Sequence, residues 1–590
     1  MTHQAVPPRG ARIPLGSLPL SSSSGTQQGD PLAGLLWSLA HAQLWRRFTA
    51  SMDPASFTPS LPPTSPTLSV WYVDDGTLAA HWSYLRAAFS FLLSEGAAHG
   101  FHVNPAKCEI ICHISATSSA RALFPELPEH NFRTFSDWEL LGAHVGSSQS
   151  AYDAFATTRI EKAIRKTRVI ACVPDSHIAA TLLRLCGSGC LITHLSRCSG
   201  PTPAMATFDD AVFAAFVRIH PGTGHACRAQ FELPLRFGGH GLRPSARTSP
   251  LAFIASVAES APLIATLSRD LVLAVLGVDC RVVSALSDPL LAPHPDVLFE
   301  MRRHLQERLP EKKLQHDWSS LIDTHLLESL CSSLDERGRA RICSLCTPHA
   351  SDYLTPVSED DADDFHQWLT SAQYIAVTLA RYGCTVSTRL TCAMCHKRPA
   401  ALAVPQSMDT HSWACNGAGG HMAAHHAFRD LTFQLCSLAG LHPQKEVQPF
   451  ASAHRDRLDL VVPFVLAATA RPEAVDTAII SPFALANVTL AASAPGAHVA
   501  AYESKKVDRY GAAASTSNVV LSPVIADFFG ALSPSAHSFF LRVAAAWASR
   551  FDMPRVIVLR RCFVRVSASL QRSSASLLLA NVATEDVPAG

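Results

Sequence analysis

Tyr72-Val73-Asp74-Asp75-Gly76 is the stretch on which the reading of this sequence turns. A short β-forming run, 70–73, leads into two adjacent carboxylates, and Asp75-Gly76 is a dipeptide suited to a tight hairpin. The spacing predicts a strand over 70–73, a turn at Asp75-Gly76 and a return strand over 77–79. Upstream, a Pro- and Ser-rich linker at 53–69 separates the hairpin from a helix. Asp30-Pro31 supplies an N-cap acid and a tolerated first-turn proline. Leu32, Leu35, Leu36, Leu39 and Leu44 then follow helical spacing, so one buried face is expected. Downstream, a helix over 82–99 should stop at Gly100 in the C′ position. Residues 1–24, rich in Pro and Ser, read as a disordered leader.

Adjacent aspartates at a hairpin suit one chemistry in particular. Phosphoryl transfer to a 3′ hydroxyl is commonly run by two divalent cations held by carboxylates roughly 3.5–4 Å apart. A rigid turn projects such groups into a cleft, which makes Asp74 and Asp75 candidate catalytic and Mg2+-binding residues. The surrounding motifs are Gly25-Thr26-Gln27-Gln28-Gly29-Asp30-Pro31-Leu32 upstream, then Gly100-Phe101-His102-Val103-Asn104-Pro105-Ala106-Lys107 and Leu140-Leu141-Gly142 downstream. In this order they resemble the palm motifs of non-LTR retrotransposon reverse transcriptases, and Phe237-Gly238-Gly239-His240-Gly241-Leu242 resembles a Gly-rich stretch further along the same proteins.

The resemblance implies a partial polymerase palm over 25–150. In it Gln28, Gly29, Asp30, Pro31, Tyr72 and Lys107 lie near template and incoming nucleotide, and Leu141-Gly142 forms a primer-gripping hairpin. An RNA template and a DNA target are the implied partners, and the nucleus is the implied place of action. The family also places a third carboxylate on a strand ahead of the Gln-Gly-Asp-Pro motif. Before Gln28 this chain has no Asp and no Glu, and Asp53, alone between Asp30 and Asp74, falls in the linker. Polymerase activity is therefore not expected of this chain by itself.

Residues 151–350 read as a helical thumb and connector. Arg159, Lys162, Arg165 and Lys166 recur at helical spacing and predict one basic face. Such a face is often merely solvated, but at a thumb position it would track a nucleic-acid backbone. An acidic linker and helix are expected over 351–390, with Glu359 to Asp364 exposed.

Cys392-Ala393-Met394-Cys395 and His411-Ser412-Trp413-Ala414-Cys415 give a C-x2-C-x15-H-x3-C order over 391–426. Thiolates and imidazole in closely spaced pairs suit tetrahedral Zn2+, with His421, His425 and His426 as alternates. Cys343 and Cys346, a second C-x2-C without a partner pair, read as core thiols. Beyond lie Asp459, Asp476, Glu503, Lys505-Lys506 and Tyr510, with apolar, strand-like runs at 458–462, 475–480 and 499–502. This pattern resembles a restriction-like endonuclease, and its position after a Cys-Cys-His-Cys motif matches site-specific non-LTR elements. The resemblance implies Asp459, Asp476 and Glu503 on Mg2+, with Lys505 (or Lys506) stabilising charge or activating water, in a domain over 427–590. The expected fold class is α+β: partial palm, helical thumb and connector, then a small α/β restriction-endonuclease-like domain. The alternative is a non-catalytic nucleic-acid-binding remnant.

Composition is consistent with several globular cores. The chain has 590 residues, 48% of them hydrophobic, and a net charge of only +1, so any nucleic-acid surface must be local. Its 17 cysteines are irregularly spaced, which reads as reduced, intracellular thiols with one metal site. No secretory signal and no apolar run of membrane-spanning length stands out.

Overall fold

The hairpin strands form, but the return strand starts two residues earlier than the spacing predicts. In the computed structural model of the chain, β1 (Leu68–Tyr72) pairs antiparallel with β2 (Asp75–Ala79), with Tyr72 opposite Asp75. The structure describes residues 32–53, 68–72, 75–134, 138–145, 148–267, 280–307, 313–356, 367–401, 407–415, 417, 419–448, 458–463 and 471–582. Gln28, Gly29, Asp30, Pro31, Asp74, the Tyr72 side chain, the leader and the 359–364 acidic run lie outside the described residues.

Asp75 and Gly76 thus belong to the return strand rather than to a turn. The Trp71 ring gives the reason for the glycine: it lies directly against Gly76, where any Cβ would overlap it. Trp45 and Phe101 pin that ring, with centroids 4.2 and 6.1 Å away.

The helix α1 (Ala33–Ser51) forms as expected, but its leucine face does not bury. Leu44 is buried, and Phe48 reaches the small core made with Trp71, Tyr84, Leu92 and Phe101. Leu32, Leu35, Leu36 and Leu39 remain 48–64% exposed, because this core covers only the second half of the helix. α2 (Trp82–Glu95) runs into a short 3-10 turn that ends at Gly100 with φ 75°, the left-handed stop expected there.

Two further strand pairs follow. β3 (Ile110–Cys112) runs parallel to β4 (Phe132–Thr134), and β5 (Trp138–Leu140) forms a hairpin with β6 (Ala143–Val145). Leu141 and Gly142 link the latter at φ 48° and 82°. Both linking residues in the left-handed region is what a two-residue hairpin requires.

The centre is helical. α3 (Gln149–Ile170) starts at Ser148, whose hydroxyl accepts from the Ala151 amide. It packs with helices Ala204–Ile219 and Ser371–Tyr382 in one core. The stretch Ser176–Ser199 is long and apolar enough to cross a membrane by length and composition. Here it is broken at Gly187, and Ala179, Leu183 and Leu195 pack into the same core.

The C-terminal part is built on a mixed four-stranded sheet. Helix α4 (Gly420–Leu438) precedes β7 (Gln444–Val447), β8 (Leu458–Val462) and β9 (Glu473–Ile480), which are antiparallel neighbours. α5 (Ala497–Thr516) then crosses over to β10 (Val520–Asp527), which lies parallel to β9. α6 (Pro534–Arg550) and α7 (Arg555–Leu579) complete the layer. The expected strand over 499–502 is thus part of α5 instead. α7 serves two cores: Phe563, Val566 and Leu570 face the sheet, whereas Ala568 and Ala575 join the central helices. The helix from 371 to 382 also contributes to both cores, so the segments expected at 151–350, 351–390, 391–426 and 427–590 are packed into one another.

Candidate functional site

Four side chains converge at the loop between Thr388 and α4. Cys392, Cys395, His411 and Cys415 place one ligand atom each within 4.8 Å of one another. Tetrahedral Zn–S bonds of about 2.3 Å need sulfurs about 3.8 Å apart. The Cys392 and Cys415 Sγ atoms are 3.8 Å apart, and Cys395 Sγ lies 3.2 Å from His411 Nε2. The amides of Met394 and Gly417 donate to the Cys392 and Cys415 sulfurs, both at 3.4 Å, as amides around a thiolate cluster do. Burial, helped by the charge of Lys397, lowers the His411 pKa and keeps the imidazole in its ligating neutral form. The four residues fit a zinc-type ion.

Neighbouring groups lock this loop in place. Asn581, just past α7, accepts from the Ala393 amide and donates to the Ser412 hydroxyl, both at 2.8 Å. Trp413 Nε1 donates to Ser574 of α7 at 2.9 Å, and the Asp409 carboxylate accepts from the Val386 and Ser387 amides. His421 bonds the Trp413 carbonyl, His425 points to Asp459, and neither they nor His426 belong to the cluster. Cys343 and Cys346 are half-buried thiols that join no cluster of metal-ligand spacing among the described residues; burial pushes Cys346 up to about 12.

A second constellation sits on the sheet. The ladder between β8 and β9 runs as far as Leu460 opposite Val475, so Asp459 and Asp476 flank its last pair. Asp459 is near enough to act electrostatically on Asp476. Asp459 Oδ2 accepts from the Thr477 amide and hydroxyl, both at 2.7 Å, and Oδ1 lies 3.1 Å from His425 Nε2 of α4. Burial opposes ionisation of Asp459, but these bonds and the His425 charge outweigh it and hold its pKa below the usual value. Asp476 is raised instead: burial dominates, and neighbouring Asp459 adds to it, against the pull of Lys506. Lys506 Nζ sits 2.7 Å from Asp476 Oδ2, between the rings of Tyr502 and Tyr510 at 5.9 and 5.7 Å. Despite its burial, that partner raises the Lys506 pKa and keeps the ammonium charged.

Two of the expected site residues are elsewhere. Glu503 accepts from the Ser535 amide at 3.0 Å and its hydroxyl at 2.6 Å, bracing the start of α6 where a carboxylate complements the helix dipole. Lys505 points to solvent. The cause is the helix: on α5 the residues Tyr502, Lys506, Tyr510 and Ala514, four apart, turn towards the sheet, whereas Glu503 and Lys505 fall outside that stripe.

At the front of the chain, Asp75 lies exposed on β2 and Lys107 exposed in the turn that Asn104 caps. The Leu141 carbonyl is held by His194 Nε2 at 3.0 Å. On α3, Lys162, Arg165 and Lys166 are exposed, while Arg159 is tied to Glu139. The Gly-rich stretch at 237–242 is a packing junction. Gln230 and Arg381 bond the Gly238 and Gly239 carbonyls at 2.9 Å, and His240 bonds the Tyr382 hydroxyl at 2.6 Å. No protein-family model and no curated protein matches this chain.

Proposed function

We propose that this chain is a retroelement-derived protein, related to non-LTR reverse transcriptases, whose working centre is a metal-dependent DNA-nicking site on the C-terminal sheet. The observation that carries this is the pair of carboxylates Asp459 and Asp476 flanking the end of the β8–β9 ladder, with Lys506 against Asp476. Oxygen donors of this kind suit Mg2+. When bound, such a cation stabilises charge on a scissile phosphate and lowers the pKa of attacking water. Asp459 and Asp476 would hold it, and the Lys506 ammonium would face the developing negative charge. The zinc-type centre would keep the adjoining loop and α7 in place. The exposed Lys162, Arg165 and Lys166 face on α3 would lie along a duplex backbone. The palm motifs around Asp74 and Asp75 support the ancestry and the nuclear DNA target and RNA template that go with it.

One observation favours a second reading. Both carboxylates already have protein partners, and Glu503 is committed to α6. A non-catalytic remnant that binds nucleic acid through α3 and the zinc loop would look like this. Incubating the zinc-loaded chain with supercoiled plasmid and Mg2+ separates the two. Conversion to open circles supports the nuclease, whereas binding without nicking leaves the remnant.

A further inference from the structure

The third group beside the two carboxylates is an imidazole that comes from a different helix than the residue expected there. His425 stands on α4 between Ala424 and Phe428, both buried in the sheet core, so its backbone position is fixed by packing. Its Nε2 faces Asp459 Oδ1 at 3.1 Å, while Thr477 holds Oδ2 with two bonds of 2.7 Å. A carboxylate accepts only, so Nε2 carries the proton and donates.

We propose that His425 is a positioning residue of the carboxylate site, holding Asp459 in the orientation in which Asp459 and Asp476 together bind a divalent cation. This rests on the nicking-site reading above. The three bonds prevent rotation of the Asp459 carboxylate from both of its oxygens. Each carboxylate oxygen has two lone pairs, and His425 takes one from Oδ1, which leaves the other for a cation. Without the imidazole, Oδ1 would be free to turn or to recruit a competing donor. Partners of this kind commonly change metal affinity by about 10–100-fold.

The test is Mn2+ binding to the full zinc-loaded chain, followed by loss of the free-Mn2+ electron paramagnetic resonance signal. The variants are His425→Leu, His425→Gln, Asp459→Asn and Asp476→Asn, each checked for unchanged zinc content and thermal midpoint. His425→Leu is expected to weaken binding at least tenfold. His425→Gln, which keeps an N–H donor, should stay within about threefold of the parent, a rescue that a space-filling role would not produce. Asp459→Asn and Asp476→Asn should each lose the site. If both asparagine variants lose binding but His425→Leu binds like the parent, the role of His425 is overturned and the carboxylate site stands. Unchanged binding in Asp459→Asn and Asp476→Asn would overturn the carboxylate site and this proposal with it. Should His425→Leu fail to fold, a tenfold loss in a folded His425→Gln overturns the claim that an N–H donor is what matters.

Discussion

Replacing Asn581 by Leu should loosen the zinc loop and the end of α7 together. Asn581 is fully buried and of similar size to Leu, so the change removes bonds rather than volume. Two strong bonds are lost, the Ala393 amide to Oδ1 and Nδ2 to the Ser412 hydroxyl, both 2.8 Å, together with a weak one of 3.5 Å from Nδ2 to the Leu577 carbonyl. Each is worth about 1 kcal/mol net, and stranding a buried amide such as Ala393 N–H costs about 1–3 kcal/mol more. The sum is roughly 3–5 kcal/mol. For a cooperative unit of about 150–250 residues that corresponds to a fall of about 6–20 °C in the thermal midpoint. Zinc release to a chelator should quicken at least tenfold, since Ala393 lies between the two first cysteine ligands. Differential scanning calorimetry and a chromophoric chelator read both effects. A midpoint within 1–2 °C of the parent with unchanged zinc release would refute the coupling of loop and helix.

Arg542→Met should destabilise by about 3–5 kcal/mol, because it leaves Glu473, 1% exposed and bonded otherwise only by Ser522, as an unpaired buried charge. Urea unfolding measures this, and a loss under about 1 kcal/mol would contradict it. Acid should destabilise the central core. Burial lowers His177 to about 4 and His220 to about 3, from an ordinary 6.5. Below pH 6.5 the unfolded chain takes up protons that the folded chain refuses, so stability present above that pH is lost as pH falls towards 4. His177 alone accounts for about 3 kcal/mol. Unfolding midpoints that stay flat from pH 7 to 4.5 would argue against it. Changing Lys162, Arg165 and Lys166 to Gln should weaken binding to an RNA–DNA hybrid and reduce the salt slope of log K by roughly 3. Fluorescence anisotropy across a salt series checks this, and an unchanged slope would remove α3 from the interface.

The metal-type centre was legible because its chemistry is local: two short Cys and His pairs close a site wherever their loop folds. Asp459 and Asp476 were legible because both sit on apolar strand runs that pair with one another. The third and fourth members were not. The run 499–502 is apolar enough for a strand, but the four-residue spacing of Tyr502, Lys506, Tyr510 and Ala514 carries a helix period that the shorter window missed. That helix hands the site Lys506 and turns Glu503 to Ser535. His425 reads with the zinc-loop histidines because it is near them in sequence, yet α4 turns it to the sheet. Likewise the leucine spacing on α1 gave the helix correctly but not its burial, which depends on which neighbours reach it. Periodicity tells which residues share a face, not what covers that face.

The most direct test of the account is plasmid nicking by the zinc-loaded chain in Mg2+, compared with its Asp476→Asn and Asp75→Asn variants. The account predicts nicking by the parent, a fall of at least a hundredfold for Asp476→Asn, and no change for Asp75→Asn. Nicking that survives Asp476→Asn, or a folded parent that binds plasmid and never nicks it, would contradict the central claim.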